Sequence, residues 1–321
     1  MPITRRSALG AAILALPAPA LAQTRAWPNR PVRIIIPYAP GGPVEIPGRF
    51  LAEHLSARLG QPFVVETRPG AGGALGTRQV IATTDQHTLL MVTGAVAIQP
   101  AVQPDIGYDP VNELMPISVV SESSMGFMVR PNAAFRDLPG LIAAAKAAPG
   151  RITYGSSGNG TTTHMAAALF GARAGMTWQH VPYRGGGQLI SGFLAGDVDV
   201  MSGDLATLLP HVREGRGVLL GVTAPERVPA VPDAPSIAEI VPGTGITIWF
   251  ALFAPRNFPE DAASRLVAEF APLRSGSALG ERMAATGGRL LLTDPAELSE
   301  RLRRELPLWR QVVAEAGIRP E

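Results

Sequence analysis

The sequence contains no cysteine among its 321 residues. Thiol nucleophiles, thiolate metal sites and disulfide bonds are therefore excluded in one step. A chain of this length buries a sizeable core without disulfides, because the buried fraction of the surface rises with size. At roughly 150 residues per domain, the length predicts two domains.

Patterns typical of metal, nucleotide and nucleophile chemistry are also missing. The 5 histidines show no metal-ligand spacing, and neither HExxH nor a Walker motif occurs. Gly70-Ala71-Gly72 lacks the third glycine of a dinucleotide fingerprint, because Leu75 occupies that position. Residues 155–159 miss the nucleophile elbow, since Asn159 stands where its last glycine belongs. The sequence thus predicts no metal, no other cofactor and no enzymatic activity.

The chain has no surplus of positive charge once residues 1–22 are set aside. The chain has 28 Lys and Arg against 26 Asp and Glu, and residues 1–22 contain two of the arginines and no acid. The remainder is formally neutral and has no basic run interleaved with aromatic residues. Nucleic acid is therefore not a predicted partner.

Residues 1–22 have the pattern of an export signal. Arg5 and Arg6 precede an apolar run over residues 8–16, and a small-x-small cleavage site ends at Ala22. The arginine pair also resembles a twin-arginine signal, so the export route stays open. The run is too short for a membrane span, which needs about 20 apolar residues. We predict a periplasmic protein whose signal peptide is cleaved after Ala22.

The stretch 152–170 has the pattern of an anion-binding turn: a short strand, a Gly/Ser/Asn loop and a helix that starts near Thr161. The first amides of a helix lack intrahelical partners and the helix dipole adds positive charge there, so a carboxylate or phosphate is stabilised. The alternative is an ordinary turn capped by a threonine. The residues predicted to contact the anion are Ser156, Gly158, Asn159, Gly160, Thr161 and Thr162.

A similar unit opens the chain. Residues 32–37 form a β-branched run typical of a buried parallel strand, and an apolar helical face runs from Ile46 to Leu59, with Gly60 as C-terminal cap. Pro47 fits only the first turn of that helix. The loop residues predicted to face a ligand are Tyr38, Pro40, Gly41, Gly42 and Glu45.

The order of strand, glycine-rich loop, helix and strand recurs in both halves and predicts an α/β fold of two Rossmann-like open-sheet domains. Both sheets are expected to be parallel, with the loops facing one cleft at the carboxyl ends of the strands. Residues 117–120, 126–129 and 246–253 are predicted to cross between the domains. Domain 1 comprises residues 23–121 and 250–321, and domain 2 comprises residues 122–249.

The last predicted helix covers residues 295–316, where Pro307 is expected to bend or break it. It has an apolar stripe predicted to pack against domain 1. The stripe consists of Leu298, Leu302, Leu306, Trp309 and Val313.

Together, several motifs resemble the tripartite tricarboxylate transporter solute receptors, also called the Bug family of periplasmic substrate-binding proteins. The motifs are Trp27-Pro28, residues 36–42, 65–73 and 154–161, His164, residues 180–185 and 196–199, and Trp309. The resemblance implies a type II periplasmic binding protein fold that closes around a small carboxylate. It also implies an inner-membrane permease as partner, and we expect the receptor to be a monomer.

Two positions depart from the family pattern. Glu45 stands where the family has an aspartate beside the ligand, and Gln99 stands where it often has asparagine before a proline. Glu45 contacts the ligand, interacts with the helix dipole, or does both. Thr93 opens the loop that contains Gln99 and is a further candidate contact.

Three other residues keep two alternatives each. His164 either reaches the cleft or hydrogen-bonds to the backbone. Asp204 either contacts the ligand or caps the helix that follows it. Arg184 is either a carboxylate clamp or a surface residue. The function predicted is a solute receptor, and the alternatives are an exported sensor module and a hydrolase or isomerase acting on a carboxylate.

Overall fold

The computed structural model describes residues 27–274 and 277–318, so the predicted signal peptide lies outside the described part of the chain. The strands are β1 (Val32–Ile36), β2 (Phe63–Thr67), β3 (Thr88–Thr93), β4 (Leu114–Ser123), β5 (Met125–Val129), β6 (Thr153–Ser156), β7 (Gln179–Pro182), β8 (Val200–Asp204), β9 (Val218–Val222), β10 (Ile248–Pro255) and β11 (Gly288–Leu290). The helices are α1 (Glu45–Leu59), α2 (Ala74–Ile81), α3 (Ala95–Val102), α4 (Leu138–Ala147), α5 (Thr162–Ala174), α6 (Gly186–Ala195), α7 (Leu205–Arg213), α8 (Ile237–Ile240), α9 (Glu260–Ala268), α10 (Ala278–Ala284) and α11 (Pro295–Glu315).

Two open mixed sheets organise the chain and confirm the α/β fold class. The first has the strand order β11-β4-β10-β3-β1-β2, and the second has the order β7-β6-β8-β5-β9. In each sheet the strands that precede the glycine-rich loops are parallel, as predicted. The carboxyl ends of β1 and β3, and of β6 and β8, therefore carry the loops expected to bind a ligand.

The expectation of entirely parallel sheets is wrong for the strands near the crossings. β10 pairs antiparallel with β3 and β4, and β5 pairs antiparallel with β8 and β9. The reason is topological: β4 ends at Ser123 in the first sheet and β5 begins at Met125 in the second, so the chain enters the second sheet against the direction of its βαβ units.

Helix α1 buries most of the apolar face that its periodicity predicts. In α1, Leu51, Leu55 and Leu59 are buried, and the helix ends at Gly60 with φ of 70°. Ile46 was expected on the same face but is 46% exposed. It lies in the first turn, where Pro47 points to the core instead.

Helix α11 runs unbroken through Pro307, so the expected break does not occur. Leu298, Leu302 and Trp309 of the stripe are buried, while Leu306 and Val313 are partly buried. The helix packs on α3 and β4 of the first sheet, as expected, and also contacts α5. None of the helices in the described ranges is long and apolar enough to cross a bilayer.

Candidate functional site

The glycine-rich loops of the two sheets face one another across a crevice. A Cβ placed on Gly185 would lie 3.8 Å from the Cβ of Ala39, which follows β1. Nearby, Nε2 of Gln99 donates to the carbonyl oxygen of Asn159 at 3.1 Å. Gln99 belongs to α3 and Asn159 to the loop after β6. The loops predicted to share a cleft are therefore brought together.

Tyr38 and Thr93 line the first-sheet side as a bonded pair. Their hydroxyl oxygens are 2.7 Å apart, and the Thr93 amide donates to the Tyr38 hydroxyl at 3.3 Å. Burial raises the pKa of Tyr38 to about 12, despite the hydrogen bonds with Thr93. Gly73, with φ of 103°, lies against the ring of Tyr38. Tyr38 is thus a neutral hydroxyl held in a fixed orientation.

Glu45 is bonded within its own loop. Its Oε2 accepts from the Gly41 amide at 2.6 Å, and its Oε1 accepts from Nε of Arg49 at 2.6 Å. The Gly41 amide, followed by Arg49, lowers the pKa of Glu45. Glu45 is the first residue of α1, and this is the position that the helix-dipole alternative requires. The Gly41 amide predicted to face the ligand is used by this carboxylate.

The other two residues of that loop occupy its outer side. Pro40 is exposed, and Gly42 accepts from the Glu45 amide through its carbonyl oxygen. Gly41 and Gly42 line a shallow pocket of about 370 Å³ whose walls include Arg49 and Arg282.

On the second-sheet side, the loop after β6 forms the turn that its residues predict. Gly158 and Gly160 have φ of 136° and 64°, which favour glycine, and Thr161 caps α5 by accepting from the His164 amide at 3.3 Å. The Thr161 hydroxyl also donates to the Gly158 carbonyl at 2.7 Å, and the Thr161 amide donates to the same oxygen at 3.3 Å. The Thr161 amide is therefore not a free anion donor.

The Thr162 hydroxyl is a buried donor without a partner among the described residues. Thr162 as a whole is 3% exposed. Its amide and that of Thr163 are the first two of α5 and have no intrahelical acceptor. The Thr163 hydroxyl accepts from the Ser157 amide at 3.1 Å. The first turn of α5 thus contains a buried hydroxyl without a partner among the described residues and two amides without intrahelical acceptors.

His164 adopts the structural alternative. Its Nδ1 accepts from the Gly160 amide at 3.2 Å, and its ring stacks on His180 with centroids 3.8 Å apart. Burial lowers the pKa of His164 to about 4, and burial together with His164 lowers the pKa of His180 to about 3. Both rings are neutral at neutral pH. Whether His164 also contacts a ligand stays a prediction.

Ser156 is bonded to His180 rather than free. Its Oγ lies 2.7 Å from Nε2 of His180, donates to the Gly158 carbonyl at 3.2 Å, and accepts from the Gly158 amide at 3.2 Å. The sequence did not predict that Ser156 contacts a histidine, because helix α5 separates β6 from β7 along the chain. The pairing arises from the register in which Ser156 lies opposite Pro182 and Tyr154 opposite His180.

Asp204 ends β8 and caps α7, its Oδ1 accepting from the Ala206 amide at 2.9 Å. It is 5% exposed, and Oδ2 has no partner among the described residues. Burial raises the pKa of Asp204 to about 7, while the Ala206 amide and the nearby Ser123 hydroxyl lower it by less. The capping alternative is thus realised, and a ligand contact through Oδ2 stays open. Arg184 is exposed on the surface.

A cavity of about 430 Å³ adjoins the crevice. It lies between α3, α5, β7 and the end of α11, and Tyr154, His164 and His180 line one wall. Gln99 is also in its lining, although it was noted from the sequence only as a departure from a family motif. Within residues 27–274 and 277–318, no cluster of three or more His, Asp or Glu side chains forms a metal site.

The chain is similar to known solute receptors. The pattern of the tripartite tricarboxylate transporter family receptor matches residues 48–308. Protein BugT of Bordetella pertussis (strain Tohama I) is 30% identical over 304 residues, which are 94% of this chain and 93% of BugT.

Two solved structures share the fold and sequence similarity. R. palustris Rpa4515 with adipate has 28% identity and a TM-score of 0.86, covering 92% of this chain and 100% of that chain. MatC from Rhodopseudomonas palustris with bound malate has 27% identity and a TM-score of 0.81, covering 89% of this chain and 99% of that chain. The chain therefore belongs to the tripartite tricarboxylate transporter receptor family, the Bug family of periplasmic solute-binding proteins with the type II fold, as its motifs predicted.

Proposed function

We propose that this chain is an extracytoplasmic receptor that binds a small carboxylate in the crevice and delivers it to a membrane transporter. The observation that carries this proposal is the buried Thr162 hydroxyl without a partner, beside two free amides at the start of α5. An unpaired buried polar group is costly, so a ligand that accepts hydrogen bonds there is stabilised. The adipate and malate in the two similar structures support a carboxylate of that size.

The ligand is gripped by main-chain amides and hydroxyls rather than by a cationic side chain. The helix dipole and the amides of Thr162 and Thr163 stabilise its negative charge. Tyr38 and Thr93 supply hydroxyls from the opposite side of the crevice. Contacts from both sides are completed only when the crevice is closed, so the ligand shifts the population toward the closed form.

The domains that close are those predicted from the sequence, residues 23–121 with 250–321 and residues 122–249. The chain passes between the two sheets at Ser124 and again between β9 and β10. We further propose that the signal peptide is cleaved after Ala22, that the mature receptor is a periplasmic monomer, and that its partner is an inner-membrane permease.

We also propose that the site binds without catalysis. Ser156 and His180 lie at nucleophile-to-base distance, which is the one feature that favours a hydrolase. However, the pKa of His180 is about 3, so its ring is a weak base at neutral pH. The Ser156 hydroxyl is fully buried and already bonded to Gly158.

A thermal-shift panel tests the proposal. The probes are malate, succinate, adipate, amino acids, aromatic acids and neutral sugars, each added to the mature chain. A ligand that binds only the folded state at about 100 times its Kd stabilises it by roughly 2.7 kcal/mol. We expect one class of aliphatic carboxylate to raise the melting temperature. Stabilisation by sugars alone would contradict the proposal, and turnover of the stabilising compound would favour an enzyme.

Thr162→Val is expected to weaken carboxylate binding about tenfold or more without loss of stability. The hydroxyl has no protein partner to lose, whereas a hydrogen bond to a charged ligand is worth roughly 1.5–3 kcal/mol. Calorimetric titration with the best ligand of the panel and urea unfolding measure the two effects.

Thr161→Val is the matched control for that variant. The Thr161 hydroxyl caps α5, so we expect Thr161→Val to lower the free energy of unfolding by about 1 kcal/mol. If Thr162→Val binds as tightly as the wild type, the start of α5 is not the anion site.

A further inference from the structure

Gln99 joins the two sides of the crevice. It projects from α3 and is 3% exposed, and its carboxamide Nε2 donates to the Asn159 carbonyl at 3.1 Å. α3 follows β3 of the first sheet, whereas Asn159 lies in the loop between β6 and α5 of the second unit. A side chain of the protein therefore occupies space between the loops that are proposed to hold the ligand.

Two glycine turns approach the carboxamide closely. A Cβ on Gly72 would lie 2.0 Å from Nε2 of Gln99, and a Cβ on Gly160 would lie 2.7 Å from the same atom. Real Cβ atoms do not come this close, so both turns accept the carboxamide only because they are glycine. Their φ values of 59° and 64° favour glycine as well. The space is thus filled by Gln99, with no room for another side chain.

The same residue forms part of the cavity of about 430 Å³. Tyr38 and Thr93 lie on the crevice side, next to Gly73, whereas His164, Gln103 and Val102 lie on the cavity side. Gln99 therefore stands at the boundary between the crevice and the cavity. Shortening its side chain would withdraw the carboxamide from this boundary.

We propose that Gln99 is a specificity-determining residue that limits the length of the bound carboxylate by closing the crevice toward the cavity. This inference rests on the proposed function, because it assumes that an aliphatic carboxylate occupies the crevice. Short dicarboxylates fit in front of the carboxamide. Longer ones need the volume behind it, which the wild-type side chain blocks.

Calorimetric titration of the mature chain with succinate and suberate tests the inference. The measured quantity is the ratio of the two Kd values, suberate over succinate. In Gln99→Ala we expect this ratio to fall at least about tenfold, because additional buried methylenes then contribute to binding. Losing the bond to Asn159 also weakens closure for every ligand, but a uniform loss cancels in the ratio.

Gln103→Ala is the matched control, because it removes the same carboxamide from the next turn of the chain without opening the boundary. Its ratio of the suberate Kd to the succinate Kd should equal that of the wild type. Gln99→Asn keeps the carboxamide and removes one methylene, so it should give a smaller shift and serves if the alanine variant does not fold. An unchanged ratio in a folded Gln99 variant overturns the inference alone. If the wild type binds neither suberate nor any carboxylate of the thermal-shift panel, succinate included, the proposed function is overturned and the inference with it.

Discussion

Asp204→Asn is expected to stabilise the folded chain increasingly as the pH rises from 4 to 8. Burial raises the pKa of Asp204 from 3.8 to about 7, so between these two pH values the folded state holds a proton that the unfolded state has released. The stability contributed by the protonated form is fully present below pH 3.8 and is lost as the pH rises through about 7. The total change is on the order of 4 kcal/mol, at 1.36 kcal/mol per pKa unit.

Urea unfolding of both proteins at several pH values, without carboxylate buffers, measures this difference. Asparagine caps helices as well as aspartate does, so the cap of α7 is retained. Asp137→Asn is the control, because Asp137 caps α4 at an exposed position where water solvates the carboxylate. The stability difference that Asp137→Asn gives at each pH is subtracted from that of Asp204→Asn. A pH-independent difference for Asp204→Asn would mean that the carboxylate is hydrated in the folded state.

Glu122→Gln is expected to destabilise the chain by about 3 kcal/mol, since it removes one partner of a buried ion pair. Glu122 is 7% exposed and accepts from Nε of Arg289 at 2.7 Å and from Nη2 of Arg301 at 3.1 Å. Arg301 also faces the ring of Trp249, and its Nη1 has no partner in the described residues. Arg301 is partly buried and also lies 3.6 Å from the Glu305 carboxylate, so the variant leaves this cation with weaker but not absent compensation.

The stability contributed by the ion pair of Glu122 depends on pH with the opposite sign to that of Asp204. Burial raises the pKa of Glu122, but the hydrogen bonds and charges of Arg289 and Arg301 outweigh burial and lower it below 4.5. The stability is therefore present above pH 4.5 and is lost as the pH falls through the lowered value. Denaturant unfolding between pH 7 and pH 3 measures the loss.

Arg289→Gln is the control for Glu122→Gln. The Arg289 side chain is 71% exposed, so its half of the pair is screened by water and should contribute less than about 1 kcal/mol. Equal destabilisation by the two variants would show that the buried contact with Arg301 adds nothing. Glu122 lies one residue from the end of β4, so the same variants also probe the segment that connects the two sheets.

Local features of the candidate site were predictable because they depend on neighbouring residues. The start of α5 after Thr161 follows from a threonine cap and from glycines that tolerate positive φ. The capping role of Asp204 and the helix-end role of Glu45 were each among the alternatives considered. The ligand contacts of Asp204 and Glu45 remain predictions.

Longer-range features were not predictable from spacing. Periodicity indicates a strand but contains no information on its direction, so the antiparallel β5 and β10 were missed. The contact of Ser156 with His180 depends on the register between β6 and β7. Gln99 has no local signal of its own, because the groups that surround it come from loops far along the chain.

The sequence by itself determined the family, the α/β class and the glycine turns with their helix starts, because motifs, hydrophobic periodicity and capping are properties of short segments. Only the tertiary structure decided that Gln99 bridges the crevice and that burial raises the pKa of Asp204 to about 7. Burial and contacts between distant segments set these properties. They exist only once the two sheets have been brought together.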